Sequence, residues 1–273
     1  MSITSDFHIH TAFSEDSDAP MRDVIESGIS KGLTHMCFTE HMDINFPTSE
    51  EFPNPGAFEV NTDSYLYELL KMRDEYEGKI KLLFGIELGI QTSCLKEIAA
   101  YAKSYDFDFI IASSHLVRGM DICWPSFYEG RSDEEAYREY FESELENIKK
   151  FKNFDVYGHL DYVVRYGASK DKNYSYEKYR DLFDRMLEEL IENEKGIEIN
   201  TAGIRKGLSF AHPHIGILKR YKELGGEIIT IGSDAHFAKD VAADFNVAED
   251  MLKECGFKYY TLFENRIPEY KKL

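Results

Sequence analysis

The chain predicts an α/β barrel of seven strand–helix units, and three observations carry that expectation. Its 273 residues, 43% of them hydrophobic, suit one core of barrel size, with residues 1–273 as a single domain. Short apolar runs alternate with amphipathic segments, the pattern of parallel strands joined by right-handed crossovers. Seven runs end in a residue with metal-binding atoms: Asp6-Phe7-His8-Ile9-His10, Thr39-Glu40-His41, Gly85-Ile86-Glu87, Ser113-Ser114-His115, Gly158-His159, Ile199-Asn200 and Ser233-Asp234-Ala235-His236. In a parallel barrel such ends converge at the C-terminal mouth, where barrel sites lie.

In order along the chain, strands are expected at 7–10, 34–39, 81–88, 107–113, 155–160, 196–200 and 227–231. The intervening helical patterns cover 21–31, 64–77, 133–150, 174–194 and 240–254. Two connections, 42–61 and 116–132, are long for strand-to-helix loops. The first carries Phe46, Pro47, Phe52, Pro53 and Pro55, and the second Trp124, Pro125, Phe127 and Tyr128. Long loops beside a mouth read as lids or binding loops.

With Lys+Arg 32 against Asp+Glu 50, the net charge of −18 opposes attraction to nucleic acid or to an anionic membrane surface. Phosphate specificity therefore needs a local positive site. No stretch approaches the length of a membrane-spanning helix, and the first residues lack the pattern of a secretory leader. Cys37, Cys94, Cys123 and Cys255 lie far apart with no C-x-x-C, which favours reduced thiols in a cytoplasmic protein.

His8 and His10 are alternate residues of one strand, so both imidazoles point the same way and can grip one cation. Six of the nine histidines fall at or just after strand ends. His, Asp and Glu without Cys suit zinc, manganese or iron. His8, His10, Asp16, His41, Glu87, His115, His159, Asp234 and His236 are too many for one ion and fit two or three neighbouring ions with a bridging carboxylate. Such clusters clamp oxyanions and support hydrolysis near neutral pH. His35 begins a strand and reads as structural. His212-Pro213-His214 imitates H-x-H, yet it opens a helix and reads as a decoy.

This set of residues resembles the polymerase and histidinol phosphatase (PHP) superfamily, and the match runs from residue 8 to 236. The resemblance implies a distorted (β/α)7 barrel with a trinuclear metal site at the C-terminal mouth of the strands. Within the superfamily the chain is most similar to the PHP-type histidinol-phosphatases. That similarity rests on Gly158-His159-Leu160-Asp161-Tyr162 with Arg165-Tyr166, on 200–207, and on Phe263-Glu264-Asn265-Arg266-Ile267-Pro268. By motif position it implies a first metal held by His8, His10, Glu87 and Asp234. A second would take Glu87, His115 and His159, and a third Asp16, His41 and His236, with Glu15 and Asp18 competing for the role of Asp16.

Arg165 and Arg205 follow the fifth and sixth strands, and a guanidinium matches phosphate oxygens two at a time. Arg118, three residues after His115, is a third candidate for substrate binding. The expected reaction is hydrolysis of L-histidinol phosphate in histidine biosynthesis. Water ionised at the metals would attack phosphorus in line, Glu87 and Asp234 would act in catalysis through the metals, and Arg165 and Arg205 would neutralise the phosphoryl oxygens. Glu15, Asp18, Asp43 and Asp161 are candidates to meet the substrate amine.

Three alternatives stand beside this reading. A PHP-type phosphoesterase for nucleotides or another small phosphomonoester would share every metal ligand. An amidohydrolase-type barrel would need a bridging Lys at the fourth strand end, where this chain has His115. A non-catalytic metal-binding module would not need both arginines.

Overall fold

Seven parallel strands form in the computed structural model, which describes residues 2–273, and six of them overlap the expected runs. The seven are β1 (Ser5–Asp6), β2 (His35–Phe38), β3 (Lys81–Gly89), β4 (Phe109–Ser113), β5 (Val156–Tyr157), β6 (Gly196–Asn200) and β7 (Ile229–Gly232). Each pairs in parallel with the next in chain order. A two-residue strand, His41–Met42, adds beside Glu87 and Leu88 on β3. β3 is buried at every residue after Lys81, without polar alternation, as a parallel strand covered on both faces should be.

The first strand differs from expectation. Its regular ladder covers Ser5–Asp6, and the run 7–10 instead bonds across to the seventh strand and its extension. Phe7 N donates to the Ile231 carbonyl at 2.9 Å, Asp234 N to that of His8 at 2.8 Å, and His10 N to that of Ala235 at 2.9 Å. These bonds close the ring. They also carry His8 and His10 beside Asp234 and His236.

Around the barrel lie α1 (Met21–Ser30), α2 (Thr62–Glu75), α3 (Leu95–Tyr101), α4 (Asp133–Lys150), α5 (Arg180–Glu192), α6 (Ala202–Arg205), α7 (Ile215–Glu223) and α8 (Phe245–Glu254). α4 has the expected bounds because Ser132 and Glu135 form a reciprocal cap at its start and Lys149 and Lys150 complement its last turn. The pattern at 174–194 is split into a 3-10 turn, Tyr176–Tyr179, and α5. α8 starts later than expected, because Ala242 and Asp244 take left-handed backbone (φ 52° and 58°). None of these helices is long and apolar enough to cross a membrane.

The opposite end of the barrel is covered by an antiparallel hairpin, β8 (Tyr259–Glu264) and β9 (Ile267–Lys272), turning through Asn265 and Arg266. Phe109 links the two layers, edge-on to Phe7 at 5.3 Å and against Phe263 at 5.1 Å. Two carboxylates anchor the hairpin. Asp108 accepts from Phe84 N at 2.9 Å, Arg73 Nη2 at 2.7 Å and Asn265 N at 3.1 Å. Asp155 accepts from Ile110 N at 2.8 Å and from Arg266 Nε.

Candidate metal centre

Glu87, near the end of β3, is the middle of the site. Its Oε2 lies 3.3 Å from His8 Nε2 and 3.5 Å from His10 Nε2, while Oε1 lies 3.3 Å from His115 Nε2 and 3.0 Å from His159 Nε2. His41 Nδ1 also lies 3.0 Å from Oε2, so the two oxygens of one carboxylate face two separate groups of histidines, the geometry a bridging ligand needs. Asp234 Oδ1 completes the first group, 3.8 Å from His8 Nε2 and 3.5 Å from His10 Nε2. Asp16 Oδ2 stands 3.1 Å from His236 Nε2 and 3.6 Å from His41 Nε2, and the His10 ring stacks between His41 and His236 at 4.2 and 4.3 Å. All nine residues with candidate ligand atoms therefore meet at one mouth. Asp16 joins them by pairing with His41 and His236, whereas Glu15 and Asp18 make no such pair among the described residues.

The histidines are oriented from behind. His8 Nδ1 meets Glu198 Oε1 at 2.6 Å, His10 Nδ1 meets Ser14 Oγ at 3.0 Å, His115 Nδ1 meets Asp43 Oδ1 at 2.8 Å, and His236 Nδ1 meets the Asp234 carbonyl at 3.1 Å. A ring whose Nδ1 donates leaves the Nε2 lone pair for a cation, and such outer partners fix both ring plane and tautomer. Ser113 Oγ steadies Glu87 by donating to Oε1 at 2.7 Å. Gly232 makes room for the meeting of His8 and Glu198, since a Cβ there would lie 2.3 Å from atoms of each. Asp234 and His159 hold left-handed backbone (φ 52° and 24°), a strain that clusters at functional sites.

The chemistry of this donor set fits divalent metal ions. His8 Nε2, His10 Nε2 and Glu87 Oε2 are buried and have no hydrogen-bond partner among the described residues. Burying such atoms unpaired costs several kcal/mol, roughly, and a cation at their common focus removes the cost. Burial pushes the Glu87 carboxyl up, but His8, His115 and His41 outweigh it and hold it well below the usual carboxylate range. Asp234 is likewise depressed, burial being overcome by His8, His236 and Arg165. Glu40, behind the site and bonded to Thr11 and Ser14, is pushed by burial up to about 7.

Both arginines that follow strand ends reach the same stretch of chain. Arg165 is buried over the Tyr162 ring at 4.6 Å, with Nη2 3.3 Å from both Asp234 Oδ2 and Asn200 Oδ1. Arg205 Nη2 bonds the Ser233 carbonyl and lies 3.4 Å from that of Asp234. Asn200 is no part of the histidine cluster. Its Nδ2 bridges Glu198 Oε2 at 3.2 Å and Asp234 Oδ2 at 3.3 Å, so it ties the metal side to the arginine side.

Arg118 is not brought to the cluster. It sits at the turn of a small hairpin, with its side chain 82% exposed and paired to Glu139 at 3.3 Å. Asp43 and Asp161 are buried and engaged by the chain: Asp43 Oδ1 holds His115 while its Oδ2 lies 3.7 Å from His41 Nδ1, and Asp161 holds His212, His214 N and Tyr174. His212 and His214 stay outside the metal cluster, and His214 caps α7 as its Nδ1 accepts from Gly216 N at 3.1 Å. The first long loop brings Phe58 against His41 at 5.8 Å, with Phe46 and Phe52 packed on it. Sequence reasoning missed Glu198. Its signal is a lone carboxylate inside the apolar β6 run Gly196-Ile197-Glu198-Ile199, where a charge has to be paired.

Comparison with known proteins agrees with this geometry. A sequence profile described as the PHP domain matches residues 6–202. A histidinol-phosphatase of Lactococcus lactis is 34% identical, with 98% of this chain and 97% of that protein covered. A probable histidinol-phosphatase of Clostridium acetobutylicum is 33% identical over 97% of this chain and 98% of its own. The crystal structure of the Lactococcus lactis enzyme, complexed with zinc, L-histidinol and phosphate, superposes with a TM-score of 0.89 over 97% of this chain and 98% of that one. A histidinol phosphatase structure from Listeria monocytogenes, 18% identical over 89% of this chain and 98% of its own, has the same fold with a TM-score of 0.75. With its strands, its ring of histidines and its sequence in agreement, the chain belongs to the PHP family.

Proposed function

We propose that this barrel is a metal-dependent phosphomonoesterase that hydrolyses L-histidinol phosphate to L-histidinol and phosphate, a step of histidine biosynthesis. The observation that carries the reading is the double use of Asp234. Its Oδ1 faces the histidine pair while its Oδ2 meets Arg165, so cation and anion sites adjoin through one side chain. The zinc, L-histidinol and phosphate in the Lactococcus lactis relative support the choice of substrate.

His8, His10, Glu87 and Asp234 would hold one ion, Glu87, His115 and His159 a second, and Asp16, His41 and His236 a third, with zinc, iron or manganese suited to the donors. Bound divalent ions ionise water near neutral pH and offset charge on phosphoryl oxygens. The chain's own groups do the rest. Arg165 and Arg205 bind and orient the phosphoryl group and stabilise the charge that spreads over its oxygens in the transition state. Tyr162, whose ring lies under the Arg165 guanidinium, keeps that group in place. Glu198, Ser14 and Asp43 keep the histidines aimed. A single barrel domain carries all of these groups, and the four free thiols suit the cytoplasm.

Phosphate release from L-histidinol phosphate and from nucleoside monophosphates tests the reading directly. A kcat/KM at least about a hundredfold higher for histidinol phosphate, lost on chelation and restored by metal, is expected. Comparable or better turnover of nucleotides would overturn the substrate assignment.

A further inference from the structure

His212 belongs to neither the metal set nor the surface. It is fully buried, and its neighbours are unusually well defined. Its backbone is clamped to the end of β6, with Asn200 N donating to its carbonyl at 2.7 Å and its own N donating to that of Asn200 at 2.8 Å. Gly203 leaves space for the ring, because a Cβ there would lie 3.2 Å from His212 Nε2 and 2.8 Å from the Phe210 carbonyl. On one side Nδ1 meets Asp161 Oδ1, and on the other Nε2 meets Arg165 Nε at 2.9 Å.

The direction of these bonds follows from the chemistry of the partners. A guanidinium has donors and no acceptor, so Nε2 must offer its lone pair to Arg165 and the ring proton sits on Nδ1. Asp161 accepts that proton, and its other oxygen is taken by His214 N at 2.8 Å and Tyr174 Oη at 3.0 Å. The chain of donors therefore runs one way, from Arg165 to His212 to Asp161. It engages Nε, and Asn200 and Asp234 engage Nη2. Nη1 makes no hydrogen bond among the described residues.

We propose that His212 is a positioning residue for the phosphate-binding arginine: with Asp161 it fixes the plane of the Arg165 guanidinium so that the Nη1 edge is presented to the phosphoryl group. This rests on the reading of Arg165 as a phosphate ligand, not on the identity of the leaving group. A long arginine side chain free to rotate would bind phosphate at a large cost in conformational freedom, and the buried acceptor removes that cost before substrate arrives.

The test uses inorganic phosphate as the probe, in titration calorimetry and as a competitive inhibitor, alongside kinetics and metal content. His212→Asn keeps a donor toward Asp161 but loses the acceptor for Arg165. Phosphate affinity is expected to fall ~10–100-fold, the scale of a hydrogen bond to a charged group, with KM rising and metal content unchanged. His212→Gln, whose oxygen reaches the place of Nε2, should restore most of the loss. Asp161→Asn gives a second route that keeps the imidazole. His214 N holds the amide oxygen, the amide NH2 then faces Nδ1, and the ring proton moves to Nε2 against Arg165, so the same loss of phosphate affinity is expected. In an Arg165→Met background, His212→Asn should add less than about twofold. An equal effect of His212→Asn with and without Arg165, or an unchanged phosphate affinity, overturns the proposal. If Arg165→Met itself leaves phosphate binding intact, the phosphate role of Arg165 falls as well, which separates the two failures.

Discussion

The two ends of the barrel bury similar side chains and treat them in opposite ways. At the hairpin end, Asp108 receives two backbone N–H groups and Asp155 one, and each receives an arginine. At the mouth, Ser113 fills one oxygen of Glu87, while its Oε2 and the Nε2 atoms of His8 and His10 are buried and face one another with no hydrogen-bond partner among the described residues. A carboxylate whose lone pairs are filled by the chain is structural. One whose lone pairs point at other acceptors is waiting for a cation, and the difference separates architecture from chemistry without reference to motif.

Substitutions at the two ends can break that contrast. Glu87→Gln should lower kcat/KM by roughly a thousandfold or more and deplete bound metal, measured by turnover and by metal analysis, while the chain stays folded. Retained activity would refute the bridging role. Asp108→Ala should do the reverse, costing roughly 2–4 kcal/mol in denaturant unfolding while the folded fraction keeps kcat/KM within about twofold.

A third site sharpens the comparison. Glu144 on α4 is buried with Tyr140 as its only hydrogen-bond partner among the described residues, and its Oε2 has none. Burial, helped by the nearby Asp161, holds its carboxyl well above the usual range. The folded chain therefore keeps a proton that the unfolded chain releases above its ordinary value of 4.5. This contribution to stability is complete below that pH and declines as pH rises toward the folded value, at up to about 1.4 kcal/mol per pH unit. Glu144→Gln should flatten that decline in unfolding measured from pH 5 to 8, and an unchanged slope would show that another group sets it. The smallest effect belongs to Arg118→Ala. An exposed ion pair is worth about 0–1 kcal/mol, so kcat/KM should change by less than about twofold, and a large loss would return Arg118 to the substrate site.

Most of the candidate ligands were legible because they stand where an apolar run stops, as with His8 and His10, Glu87, and Asp234 and His236, whereas Asp16 lies in a turn. What supports those ligands was harder to read. Glu198 lies inside a strand and Asp43 beyond one, and only the curvature of the barrel brings them behind His8 and His115. The bond of His212 to Arg165 spans 47 residues of sequence and leaves no local signal. α3 was missed because seven residues carry too little periodicity. The C-terminal hairpin was missed as structure because its two turn residues, Asn265 and Arg266, lack the usual glycine, although both take left-handed backbone (φ 51° and 65°).

The closing bonds between the first and seventh strands have a consequence for biosynthesis of the protein itself. Ser233 N and Asp6 Oδ1 meet at 2.9 Å across 227 residues of sequence, and beside them His8 and His10 meet Asp234. No growing chain can assemble this pocket until nearly its whole length has left the ribosome. Activity should therefore arrive all at once, late in folding, and loss of either terminal strand would abolish it.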